Sequence, residues 1–178
     1  MEQIIECVPN FSEGQKPEVI EAIAIAIRQV PKVKLIDIDP GFHANRTVFT
    51  FAGQPEAVVE AAFQSIKVAS ELIDMRHHSG EHPRIGATDV CPLIPISGIT
   101  MDETVVLSNK LGERVYRELN IPVFLYEQSA SKPERKNLAF LRSGEYEKLE
   151  SKLKDQLNFR GICCIVTVYS FLLFSMRG

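Results

Sequence analysis

The chain has 178 residues, 45% of them hydrophobic and 24% charged, with a formal net charge of −3. That length buries a proper core but falls short of two ordinary domains, and the composition excludes both a disordered chain and a polytopic membrane protein. The 20 lysines and arginines are scattered along the chain rather than gathered in a stripe, so the electrostatic footprint of a nucleic-acid binder is missing.

Ile4 to Val8 reads as a short strand, followed by a turn over Pro9 to Gly14. A helix starts near Pro17: Val19, Ile20, Ile23, Ala24 and Ile27 recur at helical spacing, and Pro31 stops it near Val30. Val33 to Ile38 is a second strand, Asp39-Pro40-Gly41 a turn, and Thr47 to Phe51 a third strand. Pro55 opens a long amphipathic helix that runs to Ile73. From Met75 to Thr88 no apolar period survives, and Gly80, Pro83 and Gly86 mark a loop. Val90 to Ile96 is a strand carrying two prolines, which points to an edge or an irregular strand. Asp102 caps a helix through Leu119, Val123 to Tyr126 is a further strand, and short helices cover Arg135 to Leu141 and Tyr146 to Leu153. The fold class is therefore α/β, an α+β sandwich of a mixed sheet with helices packed on one face. Residues 1–153 read as one domain, and residues 154–178 as a divergent tail whose stretch Ile162 to Met176 is almost wholly apolar.

The amino terminus is acidic with a short apolar run, unlike a signal peptide. Cys7, Cys91, Cys163 and Cys164 match neither a zinc site nor a secreted disulfide framework. Both features suit a reducing, cytoplasmic setting.

Glu81, His82, Arg84 and Asp89 crowd one irregular segment, joined by His77 and His78. A solvated loop is the plain reading, with about half the weight; yet Pro83 fixes the backbone after His82, and Gly80 and Gly86 permit unusual angles, so the loop looks shaped for a site. His78-Ser79-Gly80-Glu81-His82 also spells H-x-x-E-H, a zinc-peptidase pattern that needs both histidines on one helix face. Gly80 and Pro83 argue against that helix, so no metal is assigned. A second polar cluster, Asp37, Asp39, His43, Asn45 and Arg46, lies at and after the end of the second strand. Taken alone it is turn chemistry; it converges with the His82 loop if ligand groups gather beyond the strand ends.

Several stretches are similar to one known family. Glu6-Cys7-Val8-Pro9-Asn10-Phe11-Ser12-Glu13-Gly14, Asn45-Arg46-Thr47-Val48, Thr50-Phe51-Ala52-Gly53, Leu72-Ile73-Asp74-Met75 and Gly80-Glu81-His82-Pro83-Arg84-Ile85-Gly86-Ala87-Thr88-Asp89-Val90-Cys91-Pro92 resemble the amino-terminal subdomain of glutamate formiminotransferase, in order and in spacing. The resemblance runs to about Leu153. It implies two α/β subdomains holding tetrahydrofolate between them, transfer of a formimino group from formiminoglutamate to that acceptor, and a setting in histidine degradation and one-carbon metabolism. It also implies that the family's catalytic histidine is His82.

Attack by a folate amine on an amidine carbon moves one proton off the nucleophile and another onto the departing nitrogen, and an imidazole does both at neutral pH. Beside His82, charge and proximity nominate Asp39 or Glu81 to orient its ring, Arg84 to bind a substrate carboxylate, and Asn45 and Arg46 as further substrate or folate contacts. The resemblance does not extend over residues 154–178, where a second subdomain is expected to begin. Loss of two or three charge-assisted hydrogen bonds, at roughly 1.5 to 3 kcal/mol each, lowers folate affinity by several powers of ten, so little transfer is expected of these residues alone. A separate second subdomain or a homo-oligomer partner would then complete the cleft. The alternative is a non-catalytic module that keeps the fold and binds folate or another protein. As a helix, the tail's roughly 15 apolar residues span about 23 Å against a hydrocarbon layer of about 30 Å, which disfavours a membrane anchor. Its β-branched and aromatic content suits a strand on the uncovered surface or an exposed, aggregation-prone end.

Overall fold

The computed structural model describes residues 2–144, residue 148 and the strand 164–168. Its elements, in order, are β1 (Ile4–Cys7), β2 (Asn10–Phe11), α1 (Pro17–Arg28), β3 (Val33–Gly41), β4 (Arg46–Gly53), α2 (Pro55–Leu72), β5 (Thr88–Ser97), α3 (Met101–Leu119), β6 (Val123–Glu127), a 3-10 turn (Pro133–Lys136), α4 (Leu138–Arg142) and β7 (Cys164–Val168).

One mixed sheet holds all seven strands. β3 lies at one edge and pairs antiparallel with β4. β1 and β2 run end to end as a single row between β4 and β5, antiparallel to both. β7 then lies parallel to β5 on one side and to β6 on the other. α1, α2 and α3 follow one another across the sheet, α1 beside β3 and α3 over β5, β6 and β7. This is the mixed sheet with a helical layer that the sequence pattern implies.

The core forms where these helices bury their apolar stripes. Ile5, Cys7, Phe49, Phe51, Cys91 and Leu93 alternate inward from β1, β4 and β5 to meet Ile23 and Ile27 of α1, Ala62 and Ile66 of α2, and Leu111 and Val115 of α3. Phe11 and Phe49 meet edge to face, with ring centroids 5.4 Å apart. The Sγ atoms of Cys7 and Cys91 are 3.6 Å apart in this core.

Several elements depart from their sequence assignments, each for an identifiable reason. Pro9 to Gly14 is not a free turn: Asn10 and Phe11 pair with β4 and β5 in the middle of the sheet and are buried. The Asp39-Pro40-Gly41 turn is absent too, because β3 continues through Gly41, paired with Arg46. Proline is tolerated there because β3 is an edge strand, where a missing N–H leaves no ladder bond unmade. β5 is irregular, with register breaks opposite Ile4/Ile5 and Asn10/Phe11, but it is interior rather than an edge, since β7 covers its other side. The cap of α3 is Thr100, not Asp102: its Oγ1 accepts from the Glu103 N–H while the Glu103 carboxylate accepts from the Thr100 N–H, a reciprocal capping box. The helix placed over Arg135 to Leu141 divides into the 3-10 turn and α4, with the Asn137 side chain capping the second. The helix assigned to Tyr146 to Leu153 lies outside the described residues, apart from residue 148, as does the tail beyond the 164–168 strand. No described helix is long and apolar enough to cross a membrane.

β7 bridges β5 and β6, so its removal strands the facing backbone groups of both. At roughly 1 kcal/mol net per ladder hydrogen bond, a chain ending at residue 160 is expected to lose several kcal/mol. Urea unfolding of the two forms checks this; an unchanged midpoint means that β7 contributes nothing.

Candidate functional site

At the Thr88 end of β5 three segments meet: residues 9–14 after β1, the β3–β4 connection at 41–46, and the long loop 73–87. Their backbones are tied directly. Ser12 N–H donates to Ala87 O at 2.9 Å and Ser12 Oγ to Gly86 O at 2.8 Å. Thr47 Oγ1 donates to Glu13 O at 2.5 Å. Glycine is obligatory at two crossings: a Cβ on Gly14 would stand 2.5 Å from Gly41 O, and one on Gly80 would stand 2.3 Å from Ala44 O.

Asn45 is the clasp. It is buried and left-handed, with φ 46°, a conformation that asparagine accepts more readily than most residues. Its Oδ1 accepts from Gly14 N–H at 3.0 Å, its Nδ2 donates to Ser79 O at 2.8 Å, and its own carbonyl accepts from His78 Nε2 at 2.9 Å. One side chain and one carbonyl thus join all three segments. The H-x-x-E-H reading fails on this geometry: 73–87 contains no helix, and His78 turns its ring to a backbone carbonyl.

His82 is half-buried and held at both nitrogens. Nδ1 lies 2.7 Å from Pro83 O and Nε2 lies 2.7 Å from Arg46 Nη1. A carbonyl can only accept and a guanidinium can only donate, so the pair of contacts fixes a neutral ring protonated at Nδ1 with its lone pair at Nε2. Burial, the first cause, and the positive charge of Arg46 hold the His82 pKa below the ordinary 6.5, and Arg142 acts in the same direction; the Pro83 bond and the Asp89 carboxylate oppose them. The opposite tautomer is set at His78, which donates from Nε2 and accepts at Nδ1 from Arg84 Nε at 3.2 Å.

The charge beneath this histidine comes from a pair that sequence reasoning did not connect. Asp89, at the start of β5, is fully buried and accepts from Ile85 N–H at 3.0 Å while pairing with Arg142 of α4. Arg142 Nε is buried without a hydrogen-bond partner among the described residues. Arg46, whose own pKa is lowered chiefly by burial, feels Asp89, Arg142 and Asp39. Two guanidiniums and a neutral imidazole thus stand around one buried carboxylate, with the exposed Asp39 acting on Arg46 from β3.

Of the residues nominated from sequence, His82 and Arg46 are in contact, and Asn45 braces the site rather than facing a ligand. Asp39 is exposed on β3 and reaches the cluster through its field on Arg46. Neither Asp39 nor Glu81 orients the His82 ring: that role falls to Pro83 O and Arg46, because both nitrogens are already committed. Arg84 donates to the His78 ring and to its carbonyl. Arg142 lies 53 residues from its partner Asp89 and ends a short helix of ordinary composition, so no spacing rule points to it.

Residues 4–160 match the model of the formiminotransferase domain, N-terminal subdomain. The chain belongs to that family. A formimidoyltransferase-cyclodeaminase of Rattus norvegicus is 56% identical over 154 residues, which are 86% of this chain and 28% of that protein. A glutamate formimidoyltransferase of Streptococcus pyogenes serotype M1 is 51% identical over 156 residues, 88% of this chain and 52% of that protein. That of Thermoplasma acidophilum is 44% identical over 155 residues, covering 86% and 51%. The chain thus spans about half the length of the two glutamate formimidoyltransferases and just over a quarter of the rat protein.

Asp89→Asn keeps the shape of the buried pair and removes its negative charge. Leaving Arg142 uncompensated is expected to cost about 3 to 5 kcal/mol, readable by urea unfolding, and to lower the His82 pKa further, readable by imidazole NMR. A His82 pKa that rises in this variant contradicts the assigned electrostatics.

Proposed function

We propose that this formiminotransferase-family chain supplies the acid/base wall of a formimidoyltransferase site, moving a formimino group from formiminoglutamate to tetrahydrofolate in the cytoplasm. The observation that carries the reading is His82: a neutral imidazole with its Nε2 lone pair beside two guanidiniums, its Nδ1 proton anchored to a backbone carbonyl.

Each feature meets a demand of that chemistry. Attack by folate N5 on the amidine carbon forms a C–N bond and leaves a proton on N5, which Nε2 accepts. The imidazolium then returns that proton to the glutamate nitrogen as the old C–N bond breaks, so protons and charge balance over the cycle. Anchoring at Nδ1 holds the ring in the tautomer that makes this possible. A pKa below 6.5 keeps the base unprotonated at neutral pH. The cationic surface around Arg46 suits the carboxylates of the donor and of folate. The remaining length of the glutamate formimidoyltransferase relatives would close the other side of the cleft as a second subdomain, and transfer by the present residues alone is then expected to be slight.

The test combines the purified chain with a separately produced second half of such a relative. Tetrahydrofolate should bind the mixture more tightly than the chain alone, and His82→Ala should lower transfer by at least about 10² to 10⁴. In the active mixture, the acid limb of kcat/KM should fall below pH 6.5, since a lowered pKa delays protonation of the base as pH falls. Full turnover by His82→Ala removes the residue from this role. Folate binding with no transfer under any condition points instead to a non-catalytic binding module.

A further inference from the structure

In the resting site the proposed base is covered. Arg46 Nη1 donates to His82 Nε2 at 2.7 Å, at the same lone pair that must take the proton from the folate amine. A nitrogen already accepting a hydrogen bond from a permanent cation can neither reach a substrate proton nor readily become positive itself. Arg46 therefore has to leave before His82 can work.

We propose that Arg46 is a carboxylate-operated latch on His82: a carboxylate of the donor draws the guanidinium off Nε2, exposing the base only when the donor is in place. This deepens the reading of the preceding subsection and rests on it for the identity of the donor. Arg46 is a positioning residue here; it remains protonated throughout and exchanges one acceptor for another. The exchange is favourable because a guanidinium–carboxylate pair is charge-assisted on both sides and can be bidentate, roughly twice as strong as a bond to a neutral acceptor. Arg46 is also poised to move. Its nearest negative groups are Asp89, which is committed to Arg142, and Asp39, which acts on it only through its field.

Linkage makes the latch observable without turnover. The charged groups bearing on the imidazole are Arg46, Arg142 and Asp89. Neutralising Arg46 with an external carboxylate removes one of the two cations that oppose protonation, so the carboxylate must raise the proton affinity of His82, and protonation of His82 must strengthen carboxylate binding to the same degree. The latch also confers donor selectivity: formamidine, which has no carboxylate, leaves Arg46 on Nε2 and should be a poor donor.

The deciding experiment follows the His82 imidazole by 15N NMR in the purified chain, with glutamate as the probe. In the unmodified chain, glutamate should shift the Nε2 resonance toward that of an uncapped imine nitrogen and raise proton affinity roughly tenfold. In Arg46→Gln the affinity should already be raised without glutamate and should then respond little to it. No response to glutamate in the unmodified chain overturns the latch, as does an equal response in Arg46→Gln. Should that variant fail to fold, the Nε2 shift in the unmodified chain decides alone. In the reconstituted mixture, Arg46→Gln should narrow the preference for formiminoglutamate over formamidine, by raising the KM for formiminoglutamate. Loss of transfer in His82→Ala together with an unresponsive Nε2 would discard the latch and keep the transferase reading; transfer intact in His82→Ala would remove His82 as the base and overturn the latch with it.

Discussion

The site depends on one buried carboxamide. Asn45 gives its Oδ1 to the segment after β1, its Nδ2 to the long loop at Ser79, and its carbonyl to His78, all from a left-handed backbone at the foot of β4. Two glycine crossings let these segments approach closely enough for those bonds to form. The 73–87 loop has no regular hydrogen-bond ladder of its own, so its shape is borrowed from neighbours. This is how a loop can hold His82 in a defined place: the mobility expected of such a segment is removed where Asn45 and Ser12 grip it, before and after the histidine.

Electrostatics build on that frame. A buried ion pair such as Asp89–Arg142 is weak evidence of stability, because desolvation offsets much of its attraction. Its value here lies in the field it sets. Asp89 partly cancels two arginines, so that the imidazole is held neutral without being made impossible to protonate. Burial, the largest influence, and both cations push the imidazole away from protonation, while the Pro83 bond and Asp89 oppose them. General acid/base work in one cycle needs a group that can both take and give up a proton.

Elements with strong local signals were legible in the sequence. α1 and α2 begin at Pro17 and Pro55 and carry apolar residues at helical spacing, and the loop after α2 announces itself by losing that period. His82 stood out as the candidate base through its motif and the polar crowding around it, and the structure sets it against Arg46. What escaped notice depended on contacts distant in sequence. Asn10 and Phe11 look like turn residues until β4 and β5 are placed on either side. Asp39-Pro40-Gly41 has turn chemistry, but an edge strand accommodates it. Arg142 reaches Asp89 across 53 residues, and nothing local marks it. Nearness in sequence to His82 suggested Glu81 as a partner of its ring, whereas the nitrogens meet Pro83 O and an arginine from another strand.

The location of β7 bears on how the sheet is completed. Residues 164–168 lie past the end of the family match at residue 160, yet they fill the row between β5 and β6 in parallel with both. These residues gain two parallel ladders at once, one on each side. Sheet completion asks little of sequence beyond β-branched residues and a free backbone, whereas the folate cleft asks for particular side chains at particular distances. The two requirements are separable. Residues 164–168 meet the first by pairing with β6 and with β5, the strand whose start carries Asp89.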